Sequence, residues 1–92
     1  MKQGAGPQFE TIAREHGAMI ARVARSYEAN AARAEELVQE ILIAVWQALP
    51  SFRGASTLRT FVARIAHNRA ISHVAREARS PRAVPLVAVH FV

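Results

Sequence analysis

Cysteine is absent from this chain of 92 residues, which excludes a disulfide framework and any thiolate metal site and fits a reducing compartment. The four histidines, His16, His67, His73 and His90, lack the spacing of a ligand cluster, and His67 and His73, six positions apart, do not share a helix face. No apolar run is long enough to span a bilayer, and Met1 leads into KQGAGPQ, not into a basic and then apolar leader. A cytoplasmic, unprocessed chain without membrane contact is the expectation. No nucleophile stands beside a base and no Gly-rich phosphate loop is visible, so no enzyme, small-molecule substrate, cofactor or metal is expected. A chain this short supports one modest core, since it buries only about 60% of the surface its unfolded form exposes.

Negative charge is scarce in one half only. Residues 1 to 50 hold five Lys or Arg against six Glu, whereas residues 51 to 92 hold seven Arg against Glu77 alone. Base composition can multiply Arg and Ala but does not remove acids. The asymmetry implies that the second half meets an anion, nucleic acid being the commonest, and that the first half meets something else.

Gly and Pro number four each and fall mostly at boundaries, and Ala, Glu, Arg and Leu dominate, which predicts an all-α domain. A first segment opens at Pro7 with Phe9, Ile12, Ala13 and His16 at helical spacing, and Gly17 interrupts it. A second runs from about Ala18, with Ile20, Val23, Ala24 and Tyr27 on one side, to about Asn30. A third spans Ala32 to Leu49 and stops at Pro50, which disfavours helix at the preceding residue. On it Leu37, Val38, Ile41, Leu42, Val45 and Leu49 share one arc with Trp46 at its edge, and Glu36, Gln39, Glu40 and Gln47 lie opposite with Ile43 in their midst. After the loop SFRGAST, with Gly54 as its flexible point and Ser56 or Thr57 as cap, a fourth helix starts near Leu58 and reaches about Arg79. Leu58, Phe61, Val62 and Ile65 form its stripe, Thr60, Arg64 and His67 its other side, and Ile71 and Val74 rotate away. The expected fold is thus a compact bundle of about four helices over residues 1 to 79. Residues 80 to 92, ending in the apolar, β-prone PLVAVHFV, read as a tail or the start of an interdomain linker with no second domain.

Residues 33 to 76, RAEELVQEILIAVWQALPSFRGASTLRTFVARIAHNRAISHVAR, carry two motifs in order. AEELVQEILIAVW resembles the AEDLVQE helix, ending in LW, of bacterial sigma factors of the extracytoplasmic function (ECF) group of the sigma-70 family. FRGASTLRTFVARIAHN resembles the FRG loop and RTWLxRIAxN helix of the same region 2. Residues 9 to 32 fit the opening helices of that region more loosely, so the resemblance covers roughly residues 9 to 79. Glu36 stands for the usual Asp, Phe61 for the usual Trp, which loses an indole donor, and Arg33 for an acid.

The resemblance implies a transcription initiation factor domain that binds core RNA polymerase and recognises and melts the promoter minus-ten element. It assigns Glu36, Gln39, Glu40 and Ile43 to the clamp helices of the polymerase β′ subunit. Phe52, Arg53, Gly54, Ala55, Ser56 and Thr57 would line a loop that receives a base flipped from the non-template strand. Arg59, Thr60, Arg64, His67 and Asn68 would face that strand, Asn68 offering both a donor and an acceptor to a base edge. Trp46 and Phe61 could stack on bases, but their places on apolar stripes favour core packing. The alternative is a protein-interaction module that binds an anti-sigma factor or occupies polymerase without reading a promoter.

Overall fold

Two polar side chains set the helix starts. Asn30 Oδ1 accepts the Arg33 N–H at 2.9 Å and Thr57 Oγ1 accepts the Thr60 N–H at 3.1 Å, each satisfying one orphan donor of a first turn and contributing about 1 kcal/mol. In the computed structural model, which describes residues 5 to 79, they open helices α2 (Ala31–Ala48) and α3 (Leu58–Ala78). Helix α1 (Ala5–Tyr27) precedes them. Pro50 converts the end of α2 into a short 3-10 turn, Leu49–Ser51. No strand occurs among the described residues, and the expectations for residues 80 to 92 lie outside them.

The all-α expectation holds, but with three helices in place of about four. Gly17 lies inside α1 and does not divide it. A helical glycine costs only about 1 kcal/mol relative to Ala, and Ile12, Met19, Ile20, Val23 and Ala24 on either side of it are all buried on the same face. Continuous burial along that face outweighs the local penalty.

Each helix packs against the other two. Ile12 and Ile20 of α1, Leu37, Ile41 and Val45 of α2, and Val62 of α3 are at most 1% exposed and form the centre. Each such side chain contributes roughly 1.5–3 kcal/mol of transfer free energy. Val38, Leu42, Leu58, Phe61 and Ile65 close the margin. The buried wall of α3 is Val62, Ala66, Ala70 and His73, and its two alanines let the neighbouring helices approach closely.

Trp46 is the second correction. It was expected to pack in the core, but it is 50% exposed. With only three helices the buried wedge on α2 is narrow, and Val45 and Leu49 occupy it. No described helix is long and apolar enough to cross a membrane.

Candidate functional site

The outer face of α2 carries Glu36, Gln39, Ile43 and Gln47, all exposed, with Ile43 at 53%. At about 100° per residue, Trp46 falls beside Gln39 and Ile43, so two large apolar side chains stand on one polar face. Trp46 is the residue of this face that pattern reading missed. Its place at the edge of the apolar arc was the available signal. Glu40 sits at the margin and turns toward α3, where Arg76 donates to both of its carboxylate oxygens at 3.1 and 3.2 Å.

The loop between α2 and α3 has an aromatic footing. Phe52, half-buried, lies with its ring centroid 4.7 Å from that of Phe61, tilted by 48°, and its N–H donates to Leu49 O at 3.0 Å. Phe61 thus packs at the core margin, as its stripe predicted, and also supports the loop. Beyond Phe52 the chain turns through Gly54 at φ 78°, a left-handed conformation that suits glycine. Arg53, Gly54 and Ala55 are exposed at the tip, and Ser56 is half-buried with its hydroxyl donating to Thr57 O at 3.2 Å. Thr57 caps α3 and its hydroxyl also donates to Thr60 Oγ1 at 3.0 Å.

The five candidate residues on α3 are exposed but do not form one row. By helical spacing Thr60, Arg64 and His67 line up along the outer face. Asn68 lies on the α2 flank, in a groove that it lines with Ile65, Arg69 and Ser72 above a floor of Ala44 and Ala48. A second depression, lined by Glu40, Ile43, Gln47 and Arg76, shares Ala44 and Arg69 with the first. Arg59 is more than a third of a turn from Arg64 and points to the other flank. Arg69 and Ser72 are groove residues that motif reading did not single out, although Arg69 directly follows Asn68.

Charge is sorted along α3. The acids that meet it pair near its C-terminal half: Glu28 with His73 at 2.7 Å, Glu77 with Arg33 at 3.3 Å, and Glu40 with Arg76. Arg33 also approaches Glu28, at 3.8 Å, and so joins the α1–α2 corner to α3. Hydrogen bonds from His73 and then from the Asn30 N–H, with the charge of Arg33, hold the Glu28 carboxyl below its ordinary pKa against the opposing effect of burial. Among the described residues no acid forms an ion pair with Arg53, Arg59, Arg64 or Arg69. From the loop to the middle of α3 the surface is therefore cationic, with no acid paired to these arginines among the described residues.

The family model for sigma-70 region 2 matches residues 12 to 80. The chain belongs to this family. It is similar to the ECF RNA polymerase sigma factor SigG of Mycobacterium tuberculosis, with 46% identity over 52 residues in strain CDC 1551 / Oshkosh and the same values in strain ATCC 25618 / H37Rv. The matched stretch covers 56% of this chain and 14% of the length of each relative. No solved structure matches significantly.

Proposed function

We propose that this chain is the polymerase-binding and promoter-opening domain of a transcription initiation factor. The observation that carries the reading is the division of its surface. One face of α2 exposes Ile43 and Trp46 among Glu36, Gln39 and Gln47, while the loop and α3 as far as its middle expose Arg53, Arg59, Arg64 and Arg69, none of them paired with an acid among the described residues.

On α2, the apolar pair supplies area from which water is expelled, and the acids and amides around it give register against basic residues of the β′ clamp helices. On the other surface, the arginines neutralise phosphates of the non-template strand, and the loop from Phe52 to Thr57 takes up a flipped base. Strand opening needs no catalytic residue. Phosphate contacts and capture of unstacked bases offset the free energy of unpairing.

The test is a titration of the chain against an isolated β′ clamp-helix fragment and, separately, against single-stranded promoter DNA. Saturable binding to both, lost from the first with Ile43→Arg and from the second with Arg64→Ala plus Asn68→Ala, is the expected result. A folded chain that binds neither overturns the reading. A second reading, binding to an anti-sigma factor, is favoured by Ile71 and Val74. They are 55% and 42% exposed, three positions apart on α3, and offer nothing to a phosphate. Ile71→Asp would weaken that complex and leave strand binding in place.

A further inference from the structure

His67, on α3, is anchored by a side chain of α1. The hydroxyl of Tyr27, the last residue of α1, lies 3.0 Å from His67 Nδ1, and the two rings meet edge to face with centroids 5.7 Å apart and planes at 72°. Tyr27 is half-buried and packs against the core, so the hydroxyl is presented from a fixed ring. His67 itself is exposed, in line with Thr60 and Arg64.

We infer that Tyr27 is a positioning residue for DNA binding: its O–H donates to His67 Nδ1 and so presents Nε2–H outward as a donor to the strand. The inference rests on the strand-binding reading of this face. The two ring nitrogens of a neutral imidazole have opposite roles, and the bond made by one sets the role of the other. If Nδ1 carried the proton, it would donate to the Tyr27 oxygen, and a bare lone pair on Nε2 would meet phosphate or carbonyl oxygen. With Tyr27 donating, the outward atom is an N–H beside Arg64, matched to an acceptor-rich ligand. Preorganisation adds to this, because a ring held at Nδ1 loses less freedom when the strand binds.

Tyr27→Phe keeps the ring and removes only the donor. Binding of a fluorescein-labelled single-stranded oligodeoxynucleotide to the full chain is then compared among the parent, Tyr27→Phe, His67→Ala and the double variant. Circular dichroism verifies the fold of each. Tyr27→Phe is expected to weaken binding about fivefold, the size of one net hydrogen bond. His67→Ala should weaken it at least as much, and the double variant should be no worse than His67→Ala. His67→Gln, whose amide N–H reaches the Nε2 position, should bind better than His67→Ala and be insensitive to Tyr27→Phe. Long-range 1H–15N spectra of the parent should show the proton of His67 on Nε2. A proton on Nδ1 overturns the donor assignment. Loss with His67→Ala but none with Tyr27→Phe overturns the positioning role and leaves the strand-binding reading standing, as does loss with Arg64→Ala but none with His67→Ala. If the parent does not bind the oligonucleotide, or none of these substitutions nor Asn68→Ala weakens it, both fall.

Discussion

His73 Nε2, on a histidine that is 4% exposed, stands 2.7 Å from Glu28 Oε1 across the gap between α3 and the end of α1. The second carboxylate oxygen of Glu28 accepts the Asn30 N–H at 2.9 Å, so one side chain ties together the α1–α2 corner, the cap of α2 and the wall of α3. Its carboxyl titrates below the ordinary value of 4.5 because His73, Asn30 and Arg33 favour the charged form. A carboxyl with a depressed folded pKa contributes stability that is fully present above its unfolded value and is lost as pH falls through the folded one. Urea midpoints of the parent chain should therefore be level in this respect above about pH 5 and decline below it. Glu28→Gln should be less stable at pH 7 and lack this part of the acid decline. Equal acid sensitivity of the two chains would remove the carboxylate from the account.

His73→Ala breaks the same contact from the other side. It leaves Glu28 without its closest partner and vacates the buried place of the imidazole, which should destabilise the chain by about 2–4 kcal/mol. Chemical denaturation measures it directly. A loss within about 0.5 kcal/mol, the range of ordinary surface changes, would mean that the cluster merely decorates the bundle.

Gly17→Ala should act in the opposite direction. The position is inside α1, and a Cβ there meets nothing within 4 Å. Replacing glycine lowers the entropy of the unfolded chain and should stabilise the domain by about 0.5–1 kcal/mol. A raised melting temperature is the expected reading, and a lowered one would reveal a break in the helix at this point. Gly54→Ala is the control, since at φ 78° the added Cβ is strained and the loop loses stability despite open space around it.

The contrast between these glycines explains what was legible in the sequence. Pro50, Asn30 and Thr57 act through their own backbones or over three positions, so the boundaries of α2 and the start of α3 could be read from local chemistry. Gly17 obeys a tertiary rule: the buried face of α1 continues on both sides of it, and no local signal says so. Trp46 was misjudged for the same reason, because a residue at the edge of an apolar arc is covered or not according to how many helices surround it. The arginine-rich, acid-poor character of α3 was plain in the row of letters. Its sorting into paired and unpaired cations was not, since Glu28 and His73 are 45 residues apart in sequence, and Glu40 and Arg76 are 36.

That sorting predicts a salt dependence. Arg64 and Arg69 have no acid partner among the described residues, whereas Arg76 is held by Glu40. If the first two neutralise phosphates of a single strand, each change to Ala should reduce the slope of log K against log salt by about 0.7. Arg76→Ala should change the slope little. Fluorescence anisotropy of a labelled single-stranded oligonucleotide across a salt series separates the three. Equal slopes in all the variants would show that charge on this surface is not what holds the strand.

Ile43 and Trp46 test the other surface. Both are about half exposed, so their truncation removes little core packing, and Ile43→Ala with Trp46→Ala should shift the unfolding free energy by no more than about 1 kcal/mol. Their effect on a partner should be much larger, because apolar anchors ringed by polar residues dominate interface energies, at about 2 kcal/mol or more for a buried Trp. Binding to a β′ clamp-helix fragment should thus fall at least about thirtyfold, while binding to single-stranded DNA stays within about twofold of the parent. Glu40→Ala would act more weakly on the fragment, since its carboxylate already faces Arg76 at 3.1 Å and is only partly available to a partner. If the pair of apolar substitutions instead lowered stability as much as a core change, the two side chains would belong to the fold, and the outer face of α2 would be an ordinary solvated surface.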